Sequence, residues 1–191
     1  MDPEQMVAAV RSRDPEIFQE LVGAYGDRLL RSACLLCGDF CEAQDLVQET
    51  FLQAFRSGDR FAGRSSVYTW LHGILLNLTR HHHRRSHRIV YDEELAGQEI
   101  IETVDFLSSL DVATTSDALL TALRQLSEPH REVLVLRYFE NLRIHEMAAQ
   151  LDVSPGTVKS RLHYAIAEMQ KRLPGEMNLF GATGTNKKET V

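Results

Sequence analysis

SEPHREVLVLRYFENLRIHEMAAQLDVSPGTVKSRLHYAIAEMQKRL, residues Ser127 to Leu173 of a 191-residue chain, is the stretch whose reading decides the fold. Ile144, Met147, Ala148 and Leu151 fall at i, i+3, i+4 and i+7, the apolar stripe of a short amphipathic helix that stops at Asp152. Ser154 is then an N-cap, Pro155 takes the first helical position where a missing N–H costs nothing, and Val153 can staple onto Val158 across the cap. In the second helix Val158, Leu162, Ala165, Ile166, Met169 and Leu173 share one face at about 100° per residue. Gly156, Thr157, Ser160, His163 and Tyr164 point away from that face, with Lys159 and Arg161 flanking them. A turn this short sets the helices at a steep angle, so that the second can lie in a major groove while the first crosses the backbone. Groove edges offer donors and acceptors and phosphates demand positive charge, which small, hydroxylated and cationic residues meet. An ordinary helical hairpin in a core has the same periodicity, but the capped turn and the basic outward face favour DNA.

Outside this stretch the composition is that of a globular protein, and 191 residues can hold one large domain or two small ones. No run of about 18 apolar residues occurs, and MDPEQMVAAVRSRD is too acidic for a signal peptide, so a cytoplasmic protein without membrane insertion is expected. The net charge of −6 argues against a generic nucleic-acid coat protein, yet the charge is unevenly distributed. Residues 1–55 carry ten acids against four Lys or Arg. Between residues 56 and 88 seven arginines face only Asp59, and residues 89–123 hold eight acids and no Lys or Arg. Such alternation suits faces for different partners.

Asp2 with Pro3 and Asp14 with Pro15 are N-cap and first-turn pairs, which predicts two helix starts. The second helix carries Ile17, Phe18, Leu21, Val22, Tyr25, Leu29, Ala33 and Leu36 toward a core and ends at Gly38. CEAQDLVQETFLQAFRS follows, with Ala43, Leu46, Val47, Thr50, Phe51 and Ala54 on its buried side. Glu42, Asp45, Gln48, Glu49 and Leu52 line the other side, which reads either as a solvated acidic face or as a docking surface for a basic partner. SGDRFAGRS, residues 57–65, is a loop. SVYTWLHGILLNLTRHHHRR then resumes helical periodicity through Val67, Trp70, Leu71, Ile74, Leu75 and Leu78. Its basic end, with Arg80, Arg84, Arg85 and Arg88, suits a helix C-terminus and also a clamp on a nucleic-acid backbone. His81, His82 and His83 cannot converge on one ion, because successive helix residues point about 100° apart. Cys34, Cys37 and Cys41 lack the fourth ligand of a closed zinc site and read as free thiols of a reducing compartment. Residues 89–115 form an acidic linker, Ser116 and Ser127 cap further helices, and residues 174–191 form a tail of turn formers with little apolar content.

With these motifs in order, the chain resembles bacterial sigma factors of the extracytoplasmic-function type over roughly residues 3–173. EAQDLVQETFLQAF is similar to the family's polymerase-binding helix, FAGRSSVYTWLHGILLNLTRHHHRR to its promoter-melting segment, and IHEMAAQLDVSPGTVKSRLHYA to its C-terminal helix-turn-helix. The resemblance implies an all-α protein of two small helical domains, residues 1–88 and 116–173, joined by the acidic linker. It implies that Glu42, Asp45, Gln48, Glu49 and Leu52 grip the β′ clamp of core RNA polymerase, which decides the acidic face in favour of docking. It implies that Arg60, Gly63, Arg64, Ser65 and Ser66 capture an unstacked base of the minus-10 element, with Asn77, Arg80, Arg84 and Arg85 near the opened strand. On the minus-35 element it places Thr157, Lys159, Ser160, Arg161, His163 and Tyr164, with Arg143 and His145 on phosphates. Further implied are contact with the β subunit, a linker that threads the polymerase channels later taken by RNA, and an anti-sigma factor, often membrane-anchored. No metal, cofactor or catalytic residue is called for. The histidine run and the cysteine trio depart from the family pattern, and a metal or redox input through the cysteines is an added expectation. Two readings compete with this one. A freestanding helix-turn-helix regulator would bind a palindrome as a dimer without polymerase, and an enzyme would need a nucleophile–base pair or a convergent metal set that no motif supplies.

Overall fold

The computed structural model describes residues 3–90 and 117–173, and all regular structure among them is helical. The expected linker from residue 91 on, its Ser116 cap and the tail lie outside the described residues. In the N-terminal half α1 (Pro3–Ser12), α2 (Pro15–Cys37), α3 (Phe40–Ser57) and α4 (Val67–Val90) form a bundle, with a single 3-10 turn at Gly58–Arg60. α4 thus takes in Ile89 and Val90, which the charge pattern assigned to the linker. The starts follow the caps, since Asp14 accepts from Glu16 N–H at 2.9 Å and Asp39 from Glu42 N–H at 2.7 Å. α2 ends at Gly38, whose φ of 85° is left-handed.

In the C-terminal half α5 (Asp117–Arg124) and α6 (Glu128–Leu134) precede a π-helical turn at Val135–Phe139, followed by α7 (Ile144–Leu151) and α8 (Pro155–Arg172). Ser127 precedes α6, but only its carbonyl bonds the first turn, to His130 N–H and Arg131 N–H, and its side chain makes no cap bond. The turn between α7 and α8 forms as expected. Asp152 adopts φ 54° and ψ 49°, and Ser154 Oγ accepts from Thr157 N–H at 3.1 Å. Met147, Val158, Ala165 and Met169 are fully buried, so both stripes close on one core.

One stripe residue departs from expectation. Val22 is 46% exposed and stands at an open apolar groove of about 540 Å³ between α2 and α3, lined by Phe18, Val22, Val47, Phe51, Leu52 and Phe55.

The two halves pack directly on each other through a polar seam. The Arg131 guanidinium enters the end of the N-terminal bundle and donates to Leu36 O at 2.5 Å, Leu126 O at 3.2 Å and Arg124 O at 3.3 Å. It thereby satisfies a carbonyl that the end of α2 leaves without an intrahelical partner. Burial pulls its affinity for the proton down, and neighbouring Cys37 and Glu128 oppose that pull. Farther along, Glu140 is buried and accepts from Tyr68 Oη at 2.9 Å and from Arg28 Nη2 at 2.8 Å, while Arg28 also lies over the Tyr68 ring.

His72 completes the seam. Its Nδ1 is 2.9 Å from Gln150 Nε2 and its Nε2 2.7 Å from Ser32 Oγ, an arrangement that suits a neutral ring protonated on Nε2. Burial lowers its pKa; Glu140 pulls the other way and Arg28 adds to the lowering. Unfolded chains therefore bind the proton more readily than the folded one, and stability present above the unfolded value near 6.5 is lost as pH falls below it. Unfolding free energies from urea titrations between pH 7.5 and 5.5 should fall with a slope of up to about 1.4 kcal/mol per pH unit below pH 6.5, and His72→Gln should flatten that slope. Equal slopes in both proteins would show that His72 is not the responsible group.

Candidate nucleic-acid interface

Helical spacing places Asp45, Gln48, Glu49 and Leu52 in one exposed row on α3, at i, i+3, i+4 and i+7. Leu52 is half exposed and also lines the apolar groove, so the row joins charge to an apolar edge. Glu49 lies 3.6 Å from Arg56, a pairing of exposed groups that water screens. Glu42 differs from its neighbours. Its carboxylate sits 2.6 Å from His82 Nδ1, at the basic end of α4, and burial pushes it above the ordinary carboxylate range against the pull of His82 and His83.

Arg60, at the end of the 3-10 turn, and Gly63, Arg64, Ser65 and Ser66, in the loop after it, are all exposed. Ser66 Oγ accepts from Thr69 N–H at 3.0 Å and so caps α4 while standing at the loop's edge. Trp70 stacks at 4.8 Å on the buried ring of Phe61, which agrees with its place in the apolar stripe. Asn77 and Arg84 are exposed along α4, and Arg85 stands on the same helix, its side chain outside the described residues. Arg80 is engaged elsewhere. Its Nε and Nη2 donate to the two oxygens of Glu132 at 2.5 and 2.8 Å, a bidentate pair across the seam.

On α8 Lys159, Ser160, His163 and Tyr164 are exposed, Thr157 and Arg161 half-buried. Tyr164 is 61% exposed, unusual for so large a ring, and meets His163 edge-on at 5.6 Å. The Thr157 and Ser160 hydroxyls are held by the helix start, one against Ser154 Oγ at 2.9 Å and the other on Thr157 O at 3.0 Å. Arg143 and His145 are exposed at the beginning of α7, where Glu146 accepts from Arg143 N–H at 2.7 Å. These groups offer cations and donors on the exposed surface of α7 and α8, the chemistry a groove and its phosphates take up.

The thiols contribute no such surface. Cys34 is buried, Cys37 partly so and Cys41 exposed, and burial pushes both Cys34 and Cys37 up to about 12. At neutral pH these two are thiols rather than thiolates, a poor state for metal ligation or nucleophilic attack. Among the described residues no group of three or more His, Cys, Asp or Glu is placed to hold a metal ion.

The comparisons with known proteins bear on the family. Family models described as "Sigma-70 region 2" and "Sigma-70, region 4" match residues 21–89 and 116–169. The chain is 29% identical to the ECF RNA polymerase sigma factor SigW of Bacillus subtilis, over 89% of this chain and 96% of that one. It is 33% identical to the RNA polymerase sigma-E factor of Streptomyces avermitilis, over 82% of this chain and 84% of the relative. Among solved structures it is similar to the sigma factor RpoE of Bartonella quintana in complex with the anti-sigma factor NepR, with a TM-score of 0.64, 28% identity, and coverage of 81% of this chain and 95% of that one. CnrH in complex with the cytosolic domain of CnrY gives a TM-score of 0.64 at 25% identity, covering 89% and 96%. The chain belongs to the sigma-70 family, in its extracytoplasmic-function branch, and is a sigma factor, which directs RNA polymerase to begin transcription at promoters.

Proposed function

We propose that this chain binds the β′ clamp of core RNA polymerase through Asp45, Gln48, Glu49 and Leu52, captures a minus-10 base in the loop from Arg60 to Ser66, and reads the minus-35 element with α8. The observation that carries the reading is the separation of charge by element. α3 presents an acidic row to solvent, whereas the loop and the outward side of α8 present arginine, lysine and hydroxyls. A clamp surface that is basic fits the first and nucleic acid fits the others. Arg143 and His145 take phosphates beside the recognition helix, and Asn77, Arg84 and Arg85 lie along the opened strand.

No covalent chemistry is required. Melting is driven by binding energy, since a captured base and contacted phosphates stabilise the open strand. Arg80 has to release Glu132 before it can meet DNA, so promoter opening and parting of the seam are linked. The acidic linker, with no Lys or Arg from residue 89 to 123, would run through the polymerase and contact the β subunit as a displaceable mimic of nucleic acid. The protein acts in the cytoplasm, and among the described residues no helix is long and apolar enough to cross a membrane. The likeness to RpoE bound by NepR supports control by an anti-sigma factor, membrane-anchored or soluble, that covers the clamp-facing and promoter-facing surfaces.

Run-off transcription with purified core polymerase and a library of genomic fragments tests the proposal. Promoter-specific transcripts that appear only with this protein support it. A protein that binds DNA alone and never redirects core enzyme is a freestanding regulator. On a promoter recovered this way, alanine at Lys159 and Arg161 should weaken holoenzyme binding and reduce the slope of log affinity against log salt by about 0.9 per lost phosphate contact. An unchanged slope would show that neither residue contacts a phosphate.

A further inference from the structure

Nothing above uses α1, yet this helix is built into the underside of the loop between α3 and α4. Arg11 Nε donates to Phe61 O at 2.8 Å. Gly58 lies against the last turns of α1, where an added Cβ would stand 2.4 Å from Val10 O, a main-chain atom. Its own backbone, at φ −56° and ψ −35°, suits any residue, so close approach alone excludes a side chain there. Gly63 has a φ of 69° and would place a Cβ 2.8 Å from Val7 Cγ2. Two glycines thus let α1 come into contact with the loop, and Arg11 ties the helix to it. Phe61 is held on its other side too, because its buried ring stacks on Trp70.

The consequence concerns the shape of the loop. Residues 62–66 are all exposed, so their conformation is set by their anchors, Phe61 at one end and the capped start of α4 at the other. A loop that must be ordered on binding loses affinity to that ordering, and one held in shape beforehand does not. We propose that α1 is a positioning element for minus-10 base capture, with Arg11 and the main chain at Val10 setting the geometry of residues 61–66. This rests on the reading of that loop as the capture site.

The test uses the full chain with core polymerase on a promoter recovered by run-off transcription, with each of the four bases placed at the most selective minus-10 position. Open-complex occupancy gives the base discrimination, and a separate titration gives core affinity. Arg11→Ala removes the bond to Phe61, and Gly58→Ala pushes the α1 main chain away without straining its own backbone. Each is expected to cut the discrimination about tenfold, the scale of one hydrogen bond to a charged donor, with core affinity unchanged. Arg11→Lys, which can still donate to the carbonyl, restores most of it. A purely structural role would lower occupancy on all four bases alike. Such uniform loss, or wild-type discrimination in both variants while Arg64→Ala is defective, overturns the role of α1 alone. If Arg64→Ala and Ser65→Ala are silent as well, the loop is not the capture site and the proposal falls with that reading.

Discussion

Alanine at both Asp45 and Glu49 is expected to weaken binding to core RNA polymerase on the order of a hundredfold, with the folded structure intact. The two carboxylates are exposed one turn apart on α3. Within the protein the described partner of Glu49 is the exposed Arg56, 3.6 Å away, so truncation costs little in folding. Against a basic clamp surface each carboxylate would lose a charge pair of about 1.4 kcal/mol or more. Leu52→Ala should add to the effect, because it removes the apolar edge between the acidic row and the groove. Circular dichroism melts separate this outcome from misfolding. A variant that melts like the wild type and binds core equally well would return the acidic row to ordinary solvated surface.

Glu140→Ala is expected to have the largest effect on stability, a loss of about 2–3 kcal/mol read from urea midpoints, most of it from the buried Tyr68 hydroxyl because the Arg28 side chain, 47% exposed, can turn to water. The carboxylate is buried and bonded by Tyr68 and Arg28, which stand on the other side of the seam. Its removal strands the Tyr68 hydroxyl, whose acidity burial already suppresses, and leaves Arg28 unpaired over the Tyr68 ring. Glu140→Gln keeps an acceptor for Tyr68 and should cost less. The two halves should also separate more readily, seen as a larger radius of gyration in solution scattering. Equal stability of Glu140→Ala and wild type would mean that the seam does not hold the halves together.

What the sequence made legible was local. Ser154 with Pro155, the stripes through Met147 and Met169, and Asp14 with Pro15 each act within a turn or two, and the helices they predict are present. The acidic row on α3 was legible for the same reason. The seam was not, since Arg80 and Glu132 stand 52 positions apart and Arg28 and Glu140 stand 112 apart. Tyr68 and His72 interrupt no apolar stripe, so on α4 they read as exterior until a second bundle covers them. A signal was nonetheless present. Glu132 and Glu140 flank VLVLRYF, a segment whose first four residues are all buried, and acids beside such a buried apolar run need partners inside the protein. Val22 shows the opposite error, a single residue of an otherwise buried or half-buried stripe that faces a groove rather than the core.

The account is tested most directly by titrating labelled protein with purified core RNA polymerase and comparing the wild type, the Asp45→Ala/Glu49→Ala variant and a Lys159→Ala/Arg161→Ala variant. The account predicts tight binding by the wild type and by the α8 variant, and binding on the order of a hundredfold weaker by the α3 variant. Wild-type affinity in the α3 variant, or no binding of core by the wild type at all, would contradict it.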